Sequence, residues 1–467
     1  MRVNIMRTFG DYRLEADLKN AGKSWPQVLA ILIACLSCVS NGMLMSWPSP
    51  YTPKIIKDEN YDIDEGEVLP FTILPPVAMM ITCLVASTLS DTIGRKKTLF
   101  IVYIPQILAW ALPAISTNLY LIYAARILEG VGDGIIFTAL PMYIGEVASP
   151  TVRGTWGNSL TILYYVGEFA ITIIGSYLSV KISSLIGVIL STSLSTTYFI
   201  LPESPYYLLM KDDTVNARRS LKTLTRKSDV EEDLLQLKAD VDRQMSERGT
   251  WTSLFVIPTN RKALIAAIFM RFSQNMSGIV VALTCTQTIF EESGSDISPE
   301  ISSICFIGFW LLLNTLASLF NDKLGRRKSY IGSLIPSGII LIALSVYFYM
   351  EQEISMKMNS GWIPITGMLL YVLFNSYGVC IVPTLMMGEL FSTSIKAKAM
   401  TLLVVVFGIS ILFSTVLFQV LSIKFGLYAP FLLFGVSNLV SSILSFYLVP
   451  ETKGKTLEQI QQYMNEW

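Results

Sequence analysis

The chain has 467 residues, 52% hydrophobic and 15% charged, with 35 basic and 35 acidic side chains and no histidine. A soluble domain carries about 25% charged residues, so a water-soluble globular protein is excluded, and the neutral balance gives no hold on nucleic acid. Without histidine the commonest metal ligand and proton shuttle are gone. No phosphate-binding loop, catalytic triad or metal cluster is legible, so no enzyme, cofactor or metal is expected.

In chain order, residues 1–26 are polar and of mixed charge, a segment expected to be no cleavable signal. Apolar runs of spanning length follow near 27–49, 68–90, 98–116, 119–144, 157–180 and 182–201. A stretch dense in both charge signs occupies 202–260, with helical periodicity. Six more runs lie near 262–290, 300–320, 329–350, 362–388, 398–420 and 428–449. The expected organisation is therefore an all-α membrane protein. Its parts are an N-terminal segment (1–26), a six-helix bundle (27–201), a helical linker (202–260), a second bundle (261–449) and a tail (450–467).

Basic residues set the expected orientation. The "GRKK" and "GRRK" motifs, the linker and the tail share one side, while the acidic loops "KDENYDIDEGE" and "FEESGSDISPE" share the other. The basic side is expected to be cytoplasmic, with both termini on it. Trp25, Trp47 and Trp362 fall near span ends and read as interfacial anchors. All six cysteines lie in apolar runs and read as packing residues. The sequon at Asn275 falls inside a span, where no glycan is expected.

The two halves repeat each other. "SDTIGRKK" recurs as "NDKLGRRK", placing Asp322 231 residues after Asp91. "GEVASPTVRG" recurs as "GELFSTSIKA", and "PESP" as "PETKG". Matched motifs at similar offsets argue for duplicated bundles with a midplane site between them.

These motifs, with "PMYIGEVASPTVRG", "LPESP", "FSQNMSGI", "LMMGELF" and "VPETKGKTLEQI" in this order, give a chain that resembles the sugar porters of the major facilitator superfamily, the glucose-facilitator group, and among them the insect trehalose and glucose facilitators. The resemblance implies two six-helix bundles and transport by alternating access. It implies a gate at the basic side built from Asp91, Arg95, Glu146, Arg153, Asp322, Arg326, Glu389 and Lys396, with Glu203 and Glu451 contacting the same cluster. These charges would hold the halves together in one state and separate in the other. Thr92 and Lys396 stand where the family pattern has arginine, which implies a weaker clamp.

The pocket departs further from the family pattern. Gln274 and Gly278 match, Asn275 replaces a glutamine, and Val280 replaces an asparagine. Thr161 replaces another glutamine, Thr384 a tryptophan, and Phe407-Gly408 an Asn-Trp pair. The expected substrate contacts are Gln274, Asn275, Gly278, Arg271, Thr161, Glu168 and Thr384. Independently of family, Arg271, Gln274, Asn275 and Gly278 are spaced to share one helical face. Arg126, Glu129 and Asp133 share another, and Thr161, Tyr164, Tyr165, Glu168 and Thr172 a third. Charges inside a bundle pair with one another or line a wet cavity. Three readings stay open: mutual pairing, an Arg271 that contacts or gates substrate, and proton coupling through Glu168 or Asp133.

The expected function is a plasma-membrane carrier for a hexose or disaccharide, working by facilitated diffusion. Its partners are a small-molecule sugar and the bilayer, with no nucleic acid and no obligate protein partner. The alternatives are the same fold carrying an organic anion or glycoside, and a nutrient sensor that transports nothing.

Overall fold

Hydrocarbon offers the backbone no hydrogen-bonding partner, so a spanning segment must satisfy its amides internally as a helix. The computed structural model describes residues 23–246, 250–293, 297–320, 325–352, 362–453 and 457–466, and among these there are helices and no strands. Twelve helical segments are long and apolar enough to cross a bilayer. They are α1 (Trp25–Lys57), α2 (Pro70–Ile93), α3 (Arg95–Ile115), α4 (Leu119–Val147), α5 (Thr151–Tyr177), α6 (Val180–Ile200), α7 (Pro258–Thr284), α8 (Pro299–Ala317), α9 (Arg326–Gln352), α10 (Ile363–Leu390), α11 (Lys398–Phe425) and α12 (Tyr428–Leu448).

The duplication read from the motifs is a property of the packing too. Within the first half the main pairs are α1 with α5, α2 with α4, and α3 with α6. The second half repeats them as α7 with α11, α8 with α10, and α9 with α12. Each half buries its own apolar clusters, one set around Ile135, Tyr143 and Trp110, the other around Trp310, Tyr330 and Phe431. Close approach depends on small residues, as expected where apolar lipid gives no hydrophobic drive to association. A Cβ on Gly42 would strike the Tyr164 carbonyl, and one on Gly167 the Val39 carbonyl, so the α1–α5 crossing admits only glycine at both points.

The halves meet along two symmetry-related seams, α2 against α11 and α5 against α8. At one end they are also tied by polar contacts: the Lys57–Glu291 ion pair, Gln287 N–H to Ser49 Oγ at 3.2 Å, and Gln419 Nε2 to Thr72 Oγ1 at 3.4 Å. This is the end that carries the acidic loops. Both members of the ion pair are exposed, so Lys57→Gln is expected to cost less than about 1 kcal/mol. That limits its effect on the equilibrium between states to about fivefold. Labelling of a cysteine placed at Ser49 by an impermeant reagent measures it, and a larger rise would mean the pair does more than an exposed salt bridge can.

Between the halves, Pro205–Met210, Thr214–Thr225 and Glu231–Ser246 fold as short helices around Leu209, Ala217, Leu234 and Val241. Asp213 caps the second of them through the Asn216 N–H at 3.1 Å. Two readings need correcting. The first span runs on to Lys57 because Pro48–Lys57 continues as helix after a short break. Trp47 is 2% exposed and no interfacial anchor. Its ring packs on Tyr51 and Phe71, 5.2 and 5.8 Å between centroids, beneath the Arg126 guanidinium. Trp25 and Trp362 are exposed, as an anchor requires.

Candidate functional site

The stretch "FSQNMSGI" breaks a helix. One segment of α7 ends at Asn275 and the next begins at Ile279, with Gly278 between them at φ +90°. Only glycine enters that region without strain. A break strands carbonyls that hydrocarbon cannot satisfy, and side chains of neighbouring helices take them up. The Ser277 carbonyl accepts from Tyr371 OH at 2.9 Å and Asn438 Nδ2 at 3.3 Å. The Gln274 carbonyl accepts from Ser277 Oγ at 2.7 Å. The serine of the sequon thus closes its own turn.

The amides beside the break are held from within. Gln274 Nε2 donates to the Cys380 carbonyl at 3.1 Å, and its Oε1 accepts from Arg271 Nη1 at 2.8 Å. Asn275 is fully buried, with Nδ2 donating to Ser410 Oγ at 2.5 Å and Oδ1 left without a partner. Arg271 also donates Nε to Met387 Sδ at 3.2 Å, and its guanidinium lies 4.9 Å from the centre of the Phe407 ring. Among the described residues no carboxylate lies within ion-pairing distance of Arg271. Thr161 is half-buried and Thr384 exposed.

The intramembrane charges of the first half divide differently. Arg126 forms an ion pair with Glu129, whose buried oxygens have no hydrogen-bond partner, and donates to the Phe71 and Leu44 carbonyls at 2.8 and 2.7 Å. Asp133 accepts from Asn41 Nδ2 at 2.6 Å and Tyr164 OH at 3.3 Å, while Gln106 Nε2 donates to Asn41 Oδ1 at 2.5 Å. That chain joins α3, α1, α4 and α5. Glu168 is 3% exposed and its Oε2 has no hydrogen-bond partner. The α5 face read as one surface therefore splits: Tyr164 turns into its own half, and Tyr165 reaches across to meet Trp310 edge-to-face, 5.2 Å between centroids.

The motif charges form two matched clusters, one per half. Arg95 is held by Glu146 (Nη2 to Oε1, 2.9 Å), Asp91 (3.0 Å) and the Ser90 carbonyl (3.0 Å), with Ser204 Oγ closing on the same glutamate. In the second half Arg326 pairs with Glu389 at 3.0 Å, and Thr452 Oγ1 donates to that glutamate. Glu203 accepts the Lys96 N–H at 3.0 Å, and Glu451 accepts the Arg326 and Arg327 N–H groups at 3.0 and 3.2 Å. Each caps the start of a span, α3 or α9, where a carboxylate also meets the positive end of the helix dipole. Arg153 and Lys396 complete the match, donating to the Gly145 and Gly388 carbonyls at 3.5 and 2.8 Å. Asp322 lies outside the described residues.

The described contacts of these clusters join helices within a half. Arg153 is exposed at this end, and nothing lies near a Cβ built on Gly145 or Gly154. Burial, then the Arg153 charge, hold the Lys396 ammonium below the usual lysine pKa, with Glu389 opposing both. Across the halves, then, the basic end brings two like charges within electrostatic reach of each other, whereas the acidic end is latched.

Known proteins resemble this chain over nearly its whole length. Residues 57–464 match a family model described as sugar (and other) transporter. The facilitated trehalose transporter Tret1-2 homolog of Drosophila simulans is 30% identical over 98% of this chain and 94% of that one. The facilitated trehalose transporter Tret1 of Polypedilum vanderplanki is 27% identical over 93% and 88%. Among solved structures, the proton:xylose symporter XylE bound to 6-bromo-6-deoxy-D-glucose superposes with a TM-score of 0.75 at 18% identity, covering 95% of this chain and all (100%) of that one. Inward-open XylE from E. coli gives 0.76 at 17% identity, over 94% and 100%. At that identity the structural likeness speaks for the major facilitator fold alone.

Proposed function

This chain belongs to the sugar (and other) transporter family, and on that premise we propose that it carries a hexose or disaccharide of the glucose or trehalose type across the plasma membrane by facilitated diffusion. The observation that carries the reading is α7, broken at Gly278 inside its own bundle, with the segment after the break, Ile279–Thr284, running on against the Pro48–Lys57 helix of the other. Carriers place substrate where such discontinuous helices cross the midplane between repeats. The names of the relatives point to trehalose as cargo.

In this reading the basic end and both termini face the cytoplasm. The acidic end, tied across the halves by Lys57–Glu291, Gln287–Ser49 and Gln419–Thr72, then closes the outside, as in an inward-facing state. Arg95–Glu146 and Arg326–Glu389, with Asp91, Glu203 and Glu451, keep each half rigid as it rocks. Arg153 and Lys396, facing each other with like charge, disfavour closure of the cytoplasmic side. Gln274, Asn275, Gly278, Arg271, Thr161, Glu168 and Thr384 form or shape the sugar site.

Uptake of radiolabelled trehalose and glucose into proteoliposomes tests the function. Saturable entry that stops at equal concentrations and ignores a proton gradient is expected. Accumulation driven by an imposed proton gradient would refute facilitated diffusion, and the absence of flux for every solute would refute the carrier itself.

A further inference from the structure

Arg271 brings to the site a charge that a neutral sugar does not use. A neutral sugar hydroxyl both donates and accepts, and an amide serves it on both counts. A guanidinium has five N–H donors and no acceptor. Here it is spent only on neutral partners: the Gln274 amide oxygen, the Met387 sulfur and the Phe407 face. None returns a full negative charge, and in a low-dielectric interior an uncompensated cation is costly unless something anionic arrives.

The placement of the other charges sharpens the point. Glu129 is committed to Arg126, and Asp133 is turned towards Asn41 and Tyr164 within the first half. Glu168 is in the opposite half, with the Tyr165 ring within electrostatic reach of both it and Arg271. Arg271 itself sits in α7 against α10 and α11, beside Phe407, whose ring meets Phe137 of α4 across the interface at 6.4 Å. The guanidinium thus lies where the two halves face each other, half-buried, with the donors on Nη2 given no described partner.

We propose that Arg271 is the recognition point for a carboxylate, so that the preferred solute is a sugar-sized acid, a hexuronate, over the neutral hexose. Two parallel N–H donors match a carboxylate in a way that they match no hydroxyl. The inference rests on the carrier reading and changes only the charge of its substrate.

Glucose and glucuronate differ only in the replacement of one CH2OH by a carboxylate, and their uptake into proteoliposomes compares the two directly. The wild-type protein is expected to favour glucuronate by about tenfold or more. Arg271→Gln is expected to lower the acid-to-neutral uptake ratio about 10- to 100-fold, the range of a charge-assisted hydrogen bond. Arg271→Lys, which keeps the charge and loses the fork, is expected to fall between them. Saturable glucose or trehalose uptake without glucuronate uptake would overturn the inference and leave the carrier intact. An unchanged ratio in Arg271→Gln would overturn it equally. If no solute moves at all, both readings fall together. The wild-type comparison decides the matter even where a variant fails to fold.

Discussion

Glu146→Ala is expected to lower the stability of the fold by about 3 kcal/mol and Glu389→Ala by about 1–2 kcal/mol, although the two glutamates hold the same place in their halves. The difference is solvent. Arg95 has 2% of its side chain exposed and Glu146 14%, against 13% and 27% for Arg326 and Glu389. Removing one partner of a buried pair strands the other and costs about 3–5 kcal/mol. Asp91 and the Ser90 carbonyl still contact Arg95, so the lower part of that range applies. A folded domain has only about 5–15 kcal/mol to lose. The second pair, wetter, falls between that cost and the 0–1 kcal/mol of exposed pairs, about 1–2 kcal/mol. Thermal melts of detergent-solubilised protein, read as monodisperse fraction on size exclusion, separate the two. Equal melting points would show that the clusters are equivalent and that their difference in burial carries no energy.

Much of the architecture was legible because the bilayer imposes a simple rule. A run of about 20 apolar residues must span as a helix, and twelve such runs in two sets of six needed no further information. The matched motifs were equally legible, since Gly94 and Gly325 have φ of +105° and +90° and each turn lies against a glutamate, Glu203 or Glu451. What sequence could not supply was the choice of partner. Arg126 and Arg271 look alike in the sequence, each an arginine in a span with polar residues one turn on. One is closed by Glu129 and two carbonyls, and the other meets only neutral groups. The distinction depends on which helix lies opposite, and single-sequence periodicity does not contain that. Tyr371, Asn438 and Ser410 escaped notice for the same reason: their role exists only because α7 is broken beside them.

Gly278→Val is the second large effect expected, and it separates a structural break from a merely tolerated one. At φ +90° a β-branched residue is a steric outlier, with about 1–2 kcal/mol lost to the left-handed conformation. A Cβ there would also stand 2.8 Å from the Phe434 ring. A cavity of about 20 Å3, lined by Gly278, Tyr371, Phe418 and Phe434 among others, is room for about one water and cannot accept an isopropyl group. Overpacking adds about 1–3 kcal/mol. To escape the strain α7 must wind on through residues 276–278, which pulls the Ser277 carbonyl from Tyr371 and Asn438 and turns Gln274 and Arg271 relative to α10 and α11. Loss of transport should therefore exceed loss of fold. Gly332, whose Cβ would meet nothing within 4 Å, is the control, and its alanine variant should melt within about 1 kcal/mol of wild type. If Gly278→Val folds and transports like wild type, the break is incidental, and the reasoning that places the substrate beside it loses its support.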